Sequence, residues 1–292
     1  MPEGDTIFRS ATTLRPAMEG GVIEAARIRD RQFECERIVG CTVKAVEARG
    51  KHLLMHLAPR PSQQGAGGGI NGPSGALAPI NVQCGQRSGT LIIHSHMGMT
   101  GSWHVYRPGQ PWRKPTHFAA LVLEINQLEI ICFSPRLLEL LTADQLRRHP
   151  HLQRLGPDLL DPEFDLAAAV ARLRTCNPRP LGEAVMNQTL VAGIGNIYKS
   201  EVLFIMGFDP FSPVERFSDE DLAAMLKKAR YLLRRNSGGP NRVTRVGSDA
   251  GRMWVYGRSG EPCPKCGTTI MLRRQGTAGR TTCWCPQCQP PR

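Results

Sequence analysis

The chain has 292 residues, an apolar share of 41% that suffices for buried cores, and a net charge of +12. Its pI is about 9.6. That length allows two domains and a small third unit, and the cationic excess calls for a polyanionic partner, nucleic acid before an anionic membrane surface. No run of about 18 apolar residues exists to span a bilayer, and residues 1–20 carry acids where a secretory signal has an apolar core, so the expected setting is cytoplasmic and nucleoid-associated, away from membranes.

Helical spacing of Ile7, Ala11 and Leu14 predicts a helix over Asp5–Ala17, ended by Gly20-Gly21. From Val22 to Phe133 the pattern turns to β. Strands are predicted at Val22–Ile28, Ile38–Ala48, His52–Leu57, Thr90–Ser95, Ser102–Tyr106, Phe118–Ile125 and Leu128–Phe133. Some seven strands without intervening helices predict a sandwich or barrel. Residues 59–89 are rich in Gly, Pro and Ser and read as a disordered loop inserted between two strands. Helices return at Thr142, where Thr142-Ala-Asp-Gln145 is a capping-box opening, and continue at Asp165–Arg174, at Ile197–Met206 and from Ser218 onward. Residues 227–258 carry nine Lys/Arg against one Asp. Such a run is usually a solvated face, but here it lies between two elements suited to nucleic acid.

Several short patterns carry chemistry. The chain begins Met1-Pro2-Glu3. Removal of Met1 leaves Pro2 with a secondary amine that titrates near about 8 and is in part nucleophilic at neutral pH; the bland alternative is a frayed terminus. Arg49-Gly50-Lys51-His52 is a turn between strands, where a lysine is commonly just solvated. His94 and His96 share one strand face, a spacing more often hydrogen-bonded than metal-binding. Met97-Gly-Met99-Thr-Gly101 supplies flexible apolar side chains, either for the core or as a wedge into a base stack. Val191-Ala-Gly-Ile-Gly-Asn196 feeds a helix that Asn196 can cap, leaving N–H groups suited to a phosphate; the alternative is a tight interhelical turn.

Of the ten cysteines, five fall in the last thirty residues. Cys263, Cys266, Cys285 and Cys288 form C-x2-C…x18…C-x2-C, the spacing of a closed four-thiolate site for one structural Zn²⁺.

Together these residues resemble the formamidopyrimidine-DNA glycosylase/endonuclease VIII family, and its endonuclease VIII branch in particular. The likeness runs in register through Met1–Gly4, Glu47–Lys51, Ser95-His96, His149–Asp158, Val191–Glu201, Trp254–Arg258 and the terminal knuckles. It implies an α+β multidomain chain: an N-terminal helix and catalytic β-sandwich domain (1–141, with 59–89 as a flexible insertion), a helix-two-turn-helix DNA-binding domain (142–250) and a zinc finger (251–292). It implies a monomer acting on damaged double-stranded DNA, removing oxidised bases, pyrimidines first, and nicking abasic sites by β,δ-elimination. By the same resemblance Pro2 attacks C1′, Glu3 is the general acid, and Lys51 stands near the phosphates of the damaged nucleotide. His96, Asn196 and Arg280 grip phosphate, and Met99 fills the gap left by the everted base. The chain departs from the common pattern at Asp5-Thr6, at the 59–89 loop, at Gly98-Met99-Thr100 and in a longer linker between knuckles. The competing expectations are an 8-oxoguanine glycosylase of the same family and a non-catalytic zinc-ribbon nucleic-acid-binding protein.

Overall fold

In the computed structural model, residues 2–29, 33–59, 89–239, 241–245 and 251–292 are described. The glycine-rich insertion therefore lies almost wholly outside the described residues. Helix α1 (Gly4–Met18) packs Ile7, Ala11 and Leu14 against the sandwich. Strands β1 (Ile23–Ile28), β2 (Thr42–Arg49), β3 (His52–Ala58), β4 (Leu91–His96), β5 (Ser102–Tyr106), β6 (Ala119–Ile125), β7 (Leu128–Phe133) and β8 (Leu137–Thr142) follow. They form two antiparallel four-stranded sheets, ordered β1-β6-β7-β5 and β2-β3-β4-β8.

The period of two along each strand decides what faces where. Leu53, Met55, Leu57 and Ile93 join the core shared by both sheets. Leu54, Ile92 and Leu141 point outward and are covered by Leu152 and Leu146. His52, His94 and His96 lie on that same outer face, because His52 pairs with His96 and Leu54 with His94.

Two expectations need correction. The strand predicted at Ile38–Ala48 begins only at Thr42, since Cys35–Arg37 form a 3₁₀ turn followed by further turn backbone. Strand β8 was not predicted at all. Its Leu137-Leu-Glu-Leu-Leu-Thr142 has neither β-branched enrichment nor clean alternation, and antiparallel pairing with β4 is what makes it a strand.

The helical unit comprises α2 (Ala143–Arg147), α3 (Pro150–Gln153), α4 (Leu166–Arg174), α5 (Leu181–Ala184), α6 (Asn196–Met206) and α7 (Asp219–Asn236). Capping boxes open α2 at Thr142/Gln145 and α7 at Ser218/Asp221. Leu222, Met225, Leu226, Ala229 and Leu233 of α7 meet Leu173, Tyr198 and Leu203 in a second core. The hairpin of β9 (Met271–Gln275) and β10 (Arg280–Trp284) carries the third, small core around Val255, Ile270 and the buried cysteines.

Candidate active site between the sandwich and the helical unit

A cavity of about 690 Å³ opens where the three units meet. Pro2, Lys51, His96, Met99 and Arg280 all line it, joined by Arg136, Arg179, Glu183, Gln188, Lys199 and Gln275. Residues from the chain's two extremities and from two hairpins thus share one wall.

Glu3 sits behind Pro2 with no exposed surface. Its carboxylate accepts from the backbone N–H groups of Gly195 (2.9 Å), Ile197 (2.7 Å) and Tyr198 (3.3 Å) at the start of α6. The helix thus takes its cap from a residue more than 190 positions away, where unpaired N–H groups and the helix dipole favour a carboxylate. Gly195 makes the approach possible: a Cβ there would stand 2.2 Å from the Glu3 carboxyl carbon. Burial raises the Glu3 carboxyl above its usual range, opposed by Arg242, Lys51 and the Ile197 amide. The Gly4 amide donates to the Gly193 carbonyl (2.9 Å) alongside.

One expectation fails here. Asn196 does not cap α6; Gly195 holds the cap position, and Glu3 accepts from the N–H groups of Gly195, Ile197 and Tyr198 there. Asn196 does not line the cavity, is 2% exposed, and its Oδ1 is buried without a protein hydrogen-bond partner.

Asp5 fills the place left by the departure from the common pattern. It is buried, forms a two-point ion pair with Arg242 (2.8 and 2.5 Å) and accepts from the Tyr198 hydroxyl (3.0 Å). The pair ties α1 to the segment after α7.

Lys51 lies at the tip of the β2–β3 hairpin. Gly50 takes φ +59° there, and its N–H donates to Asp158 Oδ2 at 2.5 Å while Leu160 N–H donates to Oδ1. The helical unit therefore fixes the tip of the sandwich hairpin. Burial lowers the Lys51 ammonium to about 8; Glu3 pulls it up, Arg280 and Arg242 push it down.

The tautomer of His96 follows from its partner: Nδ1 accepts from the Gly98 N–H at 3.2 Å, so the neutral ring carries its proton on Nε2. Burial, Lys51 and Arg136 hold its pKa down to about 4, so near pH 7 it is a neutral donor. Met99 is 65% exposed at the cavity mouth.

Comparison with known proteins fits this arrangement. Residues 1–138 match the formamidopyrimidine-DNA glycosylase N-terminal domain, residues 155–239 its H2TH domain, and residues 260–291 the zinc finger found in FPG and IleRS. A probable endonuclease 8 of Streptomyces coelicolor is 36% identical over 99% of this chain and 94% of its own length. A DNA-(apurinic or apyrimidinic site) lyase of Mycolicibacterium smegmatis is 34% identical over 99% of both. The crystal structure of the MutM (Fpg) protein of Thermus thermophilus superposes with a TM-score of 0.74 at 27% identity, covering all of both chains. The chain belongs to the formamidopyrimidine-DNA glycosylase/endonuclease VIII family.

The zinc finger of this family member fits its metal. The Sγ atoms of Cys263, Cys266, Cys285 and Cys288 lie within 4.8 Å of one another, with Cys263–Cys288 at 3.9 Å and Cys266–Cys285 at 3.4 Å. A tetrahedron with Zn–S bonds of about 2.3 Å has S···S edges of about 3.8 Å. Four thiolates would close the coordination sphere, so zinc would supply structure here, holding the hairpin that carries Arg280. Cys283 packs among the finger's apolar residues.

Other residues escaped the sequence reading. Glu201 accepts from the N–H groups of Trp254 (2.8 Å), Val255 (2.9 Å) and Tyr256 (2.7 Å) and from the Thr244 hydroxyl, fastening the finger to α6. Asp158 and Glu201 close two of the motifs that carry the family likeness, and that position was the signal available. Arg242 was hidden in the basic run.

The histidine row on the outer sheet face is fully ordered by hydrogen bonds. Leu152 N–H donates to His149 Nδ1 (3.3 Å), which leaves the proton on Nε2, 2.9 Å from Glu139 Oε1. His94 Nδ1 reaches the same oxygen (2.7 Å), and His94 Nε2 meets His52 Nδ1 (2.9 Å). His94, Glu139 and His149 are close enough for a metal. The neutral His149 ring, however, has already committed one nitrogen as acceptor and the other as donor, so the row is a brace between β4, β8 and α3.

Proposed function

We propose that the protein is a bifunctional DNA glycosylase/AP lyase of base excision repair, acting as a monomer on damaged double-stranded DNA in the cytoplasm, at the nucleoid. Oxidised pyrimidines and abasic sites are its substrates. One observation carries this reading: Pro2 opens onto a cavity shared with Lys51, His96 and Arg280, with a buried Glu3 of raised pKa directly behind it.

Once Met1 is removed, the neutral Pro2 nitrogen attacks C1′ of the everted nucleotide. The base departs with the bonding pair and takes the proton that the amine loses. Glu3 in its acid form protonates the ring oxygen as the C1′–O4′ bond breaks, leaving a carboxylate and an iminium. A carboxyl pKa raised by burial suits that task. The iminium acidifies the C2′ hydrogens, so the 3′ phosphate leaves by β-elimination and the 5′ phosphate by δ-elimination, with no redox group involved.

Lys51 and Arg280 supply cations and His96 a neutral N–H for the phosphates that flank the lesion. These contacts offset the few kcal/mol that flipping costs without reading sequence. Met99 fills the vacated stack, and Asn196 completes the phosphate grip. No helix among the described residues is long and apolar enough to cross a membrane.

Borohydride reduction with abasic duplex tests the assignment. The expected product is a covalent adduct on the N-terminal peptide at Pro2. A protein that binds the duplex and yields no adduct with any lesion would leave only a DNA-binding role.

A further inference from the structure

Lys199 is 2% exposed, on the first turn of α6, and its side chain lines the cavity. Its Nζ donates to Thr282 Oγ1 at 2.7 Å and to the Thr281 carbonyl at 3.4 Å. Among the described residues it has no ion-pair partner. A buried ammonium is costly unless paired, and it carries three donors and no acceptor. Two of its three protons have protein acceptors, both on the same side, on strand β10. The third is left for whatever enters the cavity.

The surroundings say what that is. Lys51, His96 and Arg280 already provide the phosphate-directed donors. Lys199 lines the same cavity as Glu183, Gln188 and Gln275, whose side chains are polar. Thr282 Oγ1 in turn donates to Gln275 Oε1 (3.0 Å), and Gln275 Nε2 to the Pro210 carbonyl (2.8 Å), so the ammonium stands on a fully hydrogen-bonded base. Such a donor is preorganised for an acceptor on the ligand.

We propose that Lys199 donates its third proton to a ring carbonyl oxygen of the everted oxidised pyrimidine, so that it selects the lesion and stabilises the negative charge that the departing base develops. This rests on the glycosylase reading above. No proton is transferred in this step; the hydrogen bond strengthens as charge builds on the carbonyl. Burial holds the Lys199 ammonium down to about 8, which keeps it protonated near neutrality yet a strong donor.

The test compares two substrates that share every phosphate and differ only in the base: a thymine-glycol duplex and an abasic duplex. K199M should slow single-turnover base excision roughly tenfold or more, as expected for a lost charge-assisted hydrogen bond. Abasic nicking and abasic-duplex affinity should stay within about twofold. K199R should recover part of the excision rate. T282V removes the acceptor that orients the ammonium and should lower excision more than nicking, in the same direction as K199M. Equal losses of excision and nicking in K199M, or a weaker salt dependence of its binding, would make Lys199 a phosphate or scaffold residue and overturn the proposal. So would unchanged excision. If the wild-type protein forms no borohydride adduct, the glycosylase reading itself fails; an adduct with an indifferent K199M sinks the lysine assignment alone.

Discussion

Two glutamates perform the same hydrogen-bonding task at two places along α6, its start and its middle. Glu3 accepts three backbone N–H groups at its start, and Glu201 accepts three from residues 254–256 beside its middle. Each fastens one unit to the helix: the N-terminal residues in the first case, the zinc finger in the second. They differ in what stands next to them. Glu3 adjoins the cavity through Pro2 and has Lys51 and Arg242 in its field. Among the described residues Glu201 has a threonine hydroxyl besides its amides and faces the finger's core. A carboxylate in an amide cradle is thus a fastener wherever it occurs, and a reacting group only where a cavity reaches it.

The largest expected effect tests that contrast directly. E3Q should slow base excision about 10²–10⁴-fold, the usual contribution of a general acid, on top of a stability loss of about 2–3 kcal/mol, because its amide NH₂ also faces backbone N–H donors. E201Q should lose the same stability without a selective loss of excision. Its amide NH₂ faces N–H donors, so we expect a loss of about 2–3 kcal/mol and release of the finger, with DNA affinity and both activities falling together. A stable E201Q, or an E3Q whose excision falls no further than its DNA affinity, would break the comparison.

G195A comes next. Its Cβ would collide with the Glu3 side chain at 2.2–2.6 Å, while the backbone there is extended and accepts alanine. The carboxylate must then leave its cradle. Excision in a single-turnover assay should fall about tenfold to a hundredfold, and a near-normal rate would show that Glu3's placement is not critical.

The smallest effect concerns pH. Lys51 titrates near 8 in the fold against 10.5 when unhindered. Between those values the unfolded chain binds more protons, so stability should rise with pH across that window. Affinity for abasic duplex should move the other way, weakening several-fold above about pH 8 as the cation is lost. Denaturation midpoints and titrations between pH 7 and 9.5 measure both slopes, and K51R should flatten the affinity slope.

What the sequence disclosed was what is local. Cysteine knuckles, capping boxes at Thr142 and Ser218, the Gly50-Lys51 turn and most sandwich strands depend on residues a few positions apart. The non-local ties could not be read that way. Glu3 meets residues 195–198, Asp5 meets Arg242, and Gly50 meets Asp158, each pair joined by the fold and by nothing in the intervening chain. The Asn196 cap was misread for this reason: the local pattern offered a capper, and a carboxylate from the far end of the chain had already filled the role. Strand β8 was missed because leucines fit helix and strand alike, and only its neighbour β4 decides between them.

The Gly50–Asp158 contact has a mechanical consequence. Together with the Gly4–Gly193 amide bond and the Asp5–Arg242 pair it rivets both jaws of the groove to each other. Opening the groove would break these contacts, so it is cheaper for the double helix to bend than for the jaws to part. A stretch that kinks easily at an injured nucleotide then enters at lower cost than an intact one, so part of the search for damage is done by the stiffness of DNA.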